Sequence, residues 1–160
     1  MTDCKDISHR ILSLYPRTSG FAYAVLEGKH RLADFGQVSL GTGAEMEFCD
    51  RVEELLDRFK PNLVVLEDQA AGRRAERARS RVEAALRVVE LRDVRTVLLS
   101  PGEVRMALGL SVRASKHEVA AEIATRFRKE LTRSIPTKRI WQIDPRIYVF
   151  EAVALALAAS

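Results

Sequence analysis

Asn62-Leu63-Val64-Val65-Leu66, ending abruptly in Glu67-Asp68-Gln69, is the stretch that decides the fold. An unbroken apolar run of this length, bounded by Pro61 and by acids, has the form of a parallel strand buried on both faces. Its neighbours alternate accordingly. Upstream, Ala44–Phe59 places Phe48, Val52, Leu55, Leu56 and Phe59 at helical spacing. Downstream, an Ala/Arg/Glu-rich segment predicts a helix over Arg73–Leu91, with Val82, Leu86 and Val89 as its core stripe, and Thr96–Leu99 predicts another strand. Nearer the N-terminus, Arg10–Tyr15 reads as a short strand stopped by Pro16. Phe21–Leu26 and Arg31–Leu40 flank Glu27-Gly28-Lys29-His30, a hairpin signal.

After the last strand, Ser100-Pro101-Gly102-Glu103 has the residues of a capped helix start, with the helix ending near Gly109. Ser115-Lys116-His117-Glu118 repeats the pattern and predicts a helix to about Leu131; a final helix starts at Asp144-Pro145 and runs to the end. The order is β-β-β-α-β-α-β-α-α-α. It predicts an α/β fold with a five-stranded mixed sheet, a β-meander followed by parallel strands, flanked by helices on both faces. Residues 1–9 are expected to be a flexible N-terminus and 10–160 a single domain.

Composition bounds the function. The 160 residues are 47% apolar and 30% charged, an ordinary globular balance. No apolar run approaches the ~20 residues that span a bilayer, and the first ten residues carry no signal-peptide core, so no membrane role and a cytoplasmic location are expected. Cys4 and Cys49, the two cysteines, lack CxxC or zinc-site spacing. Net charge is +4 and the isoelectric point is about 9.3. Arg73, Arg74, Arg77, Arg79 and Arg81 fall within nine residues, and Arg126, Arg128, Lys129, Arg133, Lys138 and Arg139 form a second cluster. Either cluster alone reads equally as a solvated helix face; two in a small domain favour contacts to phosphates.

Ligands of such sheets bind beyond the carboxyl ends of the parallel strands, here at Tyr15 and Glu67. In the last helix, Ile147, Phe150, Ala154, Leu157 and Ala158 make an apolar face. Asp144, Tyr148 and Glu151 share another. Glu151, set among apolar residues, calls for a cation, a metal or water. Asp144, before Pro145, also has the form of a helix cap. Lys116 lies in the first turn of a capped helix, where a cation opposes the dipole unless an anion docks there.

These residues carry a resemblance to the RuvC-type Holliday-junction resolvases of the ribonuclease-H-like superfamily, from Arg10 to Ala159. Ile11-Leu12-Ser13-Leu14-Tyr15-Pro16-Arg17 and Gly20-Phe21-Ala22-Tyr23 follow that family's first two strands. Val64-Val65-Leu66-Glu67 matches its metal-binding fourth strand. Pro101-Gly102-Glu103-Val104-Arg105, Ala114-Ser115-Lys116-His117-Glu118-Val119 and Glu151-Ala152-Val153-Ala154-Leu155-Ala156 follow in order.

The resemblance implies a ribonuclease-H-like fold, a homodimer, DNA junctions as substrate, and metal-dependent endonuclease chemistry with Mg2+ or Mn2+. It places Glu67, Glu151 and Lys116 in the catalytic set, Glu67, Glu151 and Asp144 as candidate metal ligands, and Arg105 and Lys116 against the nucleic acid. The run containing Arg73, Arg74 and Arg77 adds further phosphate contacts. Three departures stand beside it. Tyr15 replaces the first-strand Asp, Tyr148 replaces the earlier acid of the closing helix, and Arg17 replaces glycine. The functional expectation is a protein that binds branched or structured nucleic acid, with cleavage weakened by Tyr15. The alternative is a non-catalytic interaction protein with a vestigial nuclease site.

Overall fold

The computed structural model describes residues 9–29, 31–41, 44–68, 76–131 and 146–160, leaving aside the side chain of Arg77. Five strands, β1 (Arg10–Arg17), β2 (Gly20–Glu27), β3 (Arg31–Ser39), β4 (Leu63–Glu67) and β5 (Arg95–Leu99), form one sheet in the order β3-β2-β1-β4-β5. The first three pair antiparallel as a meander, and β4 pairs parallel with both β1 and β5. This is the mixed sheet expected from the alternating pattern.

Strand parity sorts the core into two layers. Leu12, Leu14, Val64 and Leu66 face α1 (Glu45–Phe59) and α2 (Glu76–Leu91), whose Phe48, Val52, Val82, Ala85 and Val89 close that side. Ile11, Tyr15, Leu63 and Val65 face the opposite layer. There α6 (Ile147–Ala158) lies across β1 and β2, backed by α3 (Pro101–Ala107) and α4 (Lys116–Arg126), with the short α5 (Arg128–Leu131) following α4. Burial of each large side chain, such as Phe48 or Phe150, contributes roughly 1.5–3 kcal/mol.

Two expected boundaries move. Pro16 does not stop β1; the strand runs on to Arg17, with Pro16 opposite Phe21. Proline is tolerated there because β1 and β4 are in register only from Ile11–Leu63 to Leu14–Leu66. Beyond that point β1 is an edge strand and its missing N–H interrupts no central ladder. The helix predicted from Ser115 to about Leu131 is divided at Phe127, where φ −123° and ψ 51° leave helical geometry. Both predicted caps form: the Ser100 hydroxyl accepts from the Glu103 amide, and Ser115 and Glu118 close a reciprocal capping box.

Gly20, which opens β2, is required by packing. A β-carbon built there would sit 2.0 Å from the Val38 carbonyl oxygen on β3. Arg81 of α2 fixes the same corner. Its guanidinium is buried and donates to the carbonyls of Arg17, Thr18 (3.1 Å) and Gly20 (3.2 Å).

Candidate functional site

Tyr15 and Glu67 lie one step past the last registered pair of β1 and β4, and odd numbering puts both on the α6 face of the sheet. Each is only 7% exposed. The Tyr15 hydroxyl hydrogen-bonds the Glu67 carboxylate. Burial, and then the charges of Glu67 and Glu151, push the Tyr15 hydroxyl far above its ordinary range, so it keeps its proton and acts as donor. Glu67 is pushed up to about 7, first by burial and next by repulsion from Glu151; Lys116, the Tyr15 hydrogen bond and Arg105 offset part of this.

The closing helix supplies the other half. From Ile147 to Ala156 every residue of α6 except Tyr148 is buried, so this helix is apolar nearly all round and leaves one half-exposed aromatic at the cleft. Ser13 of β1 holds it in place: its hydroxyl donates to the Ala152 carbonyl at 2.5 Å, beside Glu151. Glu151 is 3% exposed and Arg105, from α3, 6% exposed; they form an ion pair at 3.3 Å. Two further guanidinium donors of Arg105 go to the carbonyls of Ala114 (2.8 Å) and Pro101 (3.2 Å). Burial raises the Glu151 carboxyl, and Arg105 and Lys116 oppose that rise.

Cations and tyrosines fill the mouth of the cleft. The rings of Tyr15 and Tyr148 stack with centroids 5.8 Å apart. Lys116, projecting from the capped first turn of α4, donates to the Tyr15 hydroxyl at 3.3 Å. Its ammonium lies 5.7 Å from the Tyr15 ring centre and 5.2 Å from that of Tyr148. The Arg17 guanidinium covers the Tyr148 ring at 4.4 Å. A proton-ordered chain results, Lys116 to Tyr15 to Glu67.

The structure thus brings together Tyr15, Glu67, Lys116, Tyr148, Glu151 and Arg105. Arg105 is turned inward rather than lying on an open surface. Asp144, Arg73, Arg74 and the side chain of Arg77 lie outside the described residues, as do Arg133, Lys138 and Arg139. Arg81, counted with the basic run, is buried in the β1–β2 corner, and Arg126 pairs with Glu122 at 2.9 Å. Arg17, Ser13 and Arg81 are the site-shaping residues that sequence reasoning missed. Only Arg17 carried a signal, standing where the resembled family has glycine. A cavity of about 570 Å³ lined by Lys29, Arg126, Phe127 and Leu157 involves none of the cleft residues.

The divalent metal pair implied by the resemblance does not fit this donor set. Two cations roughly 3.5–4 Å apart need several shared carboxylates. Among the described residues no group of three acids or other metal-binding side chains converges. Of the two carboxylates present, Glu151 is committed to Arg105 and Glu67 to Tyr15. Counting Glu67 and Glu151 against Arg17, Arg105 and Lys116 leaves the cleft one positive charge in excess. At an effective dielectric near 20, a divalent ion about 5 Å from a unit positive charge is opposed by about 7 kcal/mol. Basic side chains thus outnumber acidic ones in this cleft.

No protein-family model matches the sequence, and no curated protein does. Among solved structures, the fold is similar to that of Thermus thermophilus RuvC, at 24% identity and a TM-score of 0.71, covering 93% of this chain and 92% of that one. The T. thermophilus RuvC complex with a Holliday junction substrate is similar at 23% identity and a TM-score of 0.71, covering 93% and 90%. A Fowlpox virus resolvase with its substrate Holliday junction DNA reaches 16% identity and 0.58, covering 93% and 97%. The chain therefore has the ribonuclease-H-like fold of Holliday junction resolvases over nearly its whole length.

Proposed function

We propose that this chain binds branched nucleic acid, four-way DNA junctions first among them, and does so without efficient cleavage. One observation carries the reading. The fold matches, across 93% of the chain, a resolvase structure determined with a Holliday junction, while the cleft at the strand ends presents Lys116 and Arg17. The first half supports a junction as partner. The second supports phosphate binding over metal chemistry, because tyrosines occupy the positions where the resembled family carries two of its acids. A homodimer, which the resemblance implies, would present two such clefts to the symmetric arms of a junction.

The test is fluorescence anisotropy with a labelled four-way junction and a linear duplex of equal length, across a salt series. Expected are tighter binding to the junction and a steep loss of affinity with salt, since a protein neutralising several phosphates releases as many counterions. Incubation with Mg2+ or Mn2+ is expected to leave the junction uncut. No binding to either DNA, or a flat salt dependence, would instead favour an interaction protein with a vestigial nuclease site. Efficient symmetric nicking would restore the enzyme.

A further inference from the structure

We propose that the cleft supplies its own phosphate-neutralising charge, with Arg17 and Lys116 on the Tyr15–Tyr148 stack holding a backbone phosphate of the branched nucleic acid where a metal-dependent relative would use divalent ions. The inference rests on the junction-binding reading above and names how that site engages its substrate.

Three observations converge. First, both cations are positioned by the fold rather than left free. Lys116 extends from a helix whose first turn is locked by the Ser115–Glu118 capping box, and it is tethered by the Tyr15 hydroxyl. Arg17 leaves the β1–β2 corner, whose carbonyls are gripped by the buried Arg81, and lies over Tyr148. Second, the two cations share one aromatic platform. Each lies within about 6 Å of the Tyr148 ring, the range in which a ring face attracts a positive charge. One ring therefore carries two positive charges, a concentration that a nearby oxyanion relieves. Third, both remain half-exposed, whereas the third cation, Arg105, is buried and spent on Glu151. The internal charge is balanced from within, and the surplus faces solvent.

Arg17 is central to this reading. A glycine there could not reach Tyr148, and the guanidinium offers a planar fork of donors suited to phosphate oxygens. Tyr148 in place of an acid removes a charge that would compete with the phosphate and provides the surface on which the guanidinium rests.

The experiment measures affinity of the full chain for a four-way DNA junction in EDTA and in millimolar Mg2+, for the parent, Arg17→Gln and Lys116→Gln. Circular dichroism confirms that each variant is folded. Both substituted side chains are half-exposed and neither fills the core. Expected is parent affinity in EDTA at least equal to that in Mg2+. Each variant is expected to bind about fivefold to tenfold more weakly, whatever the junction sequence, with the salt slope reduced by about one. Binding that requires Mg2+, or that is indifferent to both substitutions, overturns the inference while leaving junction binding intact. Absence of junction binding in both buffers overturns the underlying reading and this inference with it.

Discussion

The hydroxyl of Ser13 and the carbonyl of Ala152, 139 residues apart in sequence, meet at 2.5 Å in the interior between sheet and closing helix. Ser13 is fully buried between the apolar Leu12 and Leu14 of β1. Its bond ties α6 to β1 one residue from Glu151, which pairs with Arg105. Ser13→Ala is expected to lower stability by about 1–2 kcal/mol in urea denaturation, the cost of a lost buried hydrogen bond. A loss of only a few tenths would mean that packing alone positions the helix.

The Arg105–Glu151 pair should be far more sensitive to loss of one partner than of both. Glu151→Gln leaves a guanidinium buried without its counter-charge, and Arg105→Met leaves a carboxylate in the same position. Each single change is expected to cost about 3–5 kcal/mol, while the double Arg105→Met, Glu151→Met recovers most of it. A double-mutant cycle by chemical denaturation measures this. Additive losses would show that the two groups do not depend on one another.

Glu67 makes stability fall as pH rises. Its ordinary value of 4.5 goes to about 7 in the folded chain. Between these values the folded state holds a proton that the unfolded state has released, so its contribution is present below about pH 4.5. It fades through the window and is gone above pH 7, a difference of about 3 kcal/mol for this group alone. Glu67→Gln is expected to flatten the dependence of unfolding free energy on pH between 5 and 7 and to raise stability at pH 8. An unchanged slope would mean that Glu67 titrates as an exposed acid does.

Tyr15→Asp with Tyr148→Asp adds two carboxylates beside Glu67 and Glu151 and removes the aromatic platform. The double variant is expected to acquire Mn2+ binding, detectable by calorimetry and absent in the parent, together with metal-dependent cutting of four-way junctions. If a folded double variant binds no metal, the cleft geometry differs from a metal centre by more than its side chains.

Legibility followed the range of the forces involved. The caps at Ser100 and Ser115 are local and were plain, because a hydroxyl and an amide three residues apart decide them. The apolar run before Glu67 announced a buried strand, and with it the sheet. The meeting of Tyr15, Glu67 and the closing helix followed once strand order was fixed. Pro16 misled because proline's effect depends on whether a neighbouring strand continues past it. The break at Phe127 has no glycine or proline to mark it. Arg105 and Arg81 were illegible for another reason: an inward arginine and a solvated one have the same letter, and only distant carbonyls and a carboxylate distinguish them. Ser13 was hidden likewise, a small polar residue whose partner lies at the far end of the chain.

Arg81 offers the last test. Arg81→Met removes a buried donor shared by several backbone carbonyls and is expected to cost about 2–4 kcal/mol, measured by denaturation. Faster amide hydrogen exchange at Thr18 and Ser19 should accompany it. A stable variant with an unaltered turn would show that the corner holds itself.

That corner also joins the two helical layers. Arg81 belongs to the helical layer on one side of the sheet, the turn it grips carries Arg17, and Arg17 leans on Tyr148 in the layer on the other side. The contacts thus run without a break around the sheet's end, from a helix on one side to an aromatic ring on the other.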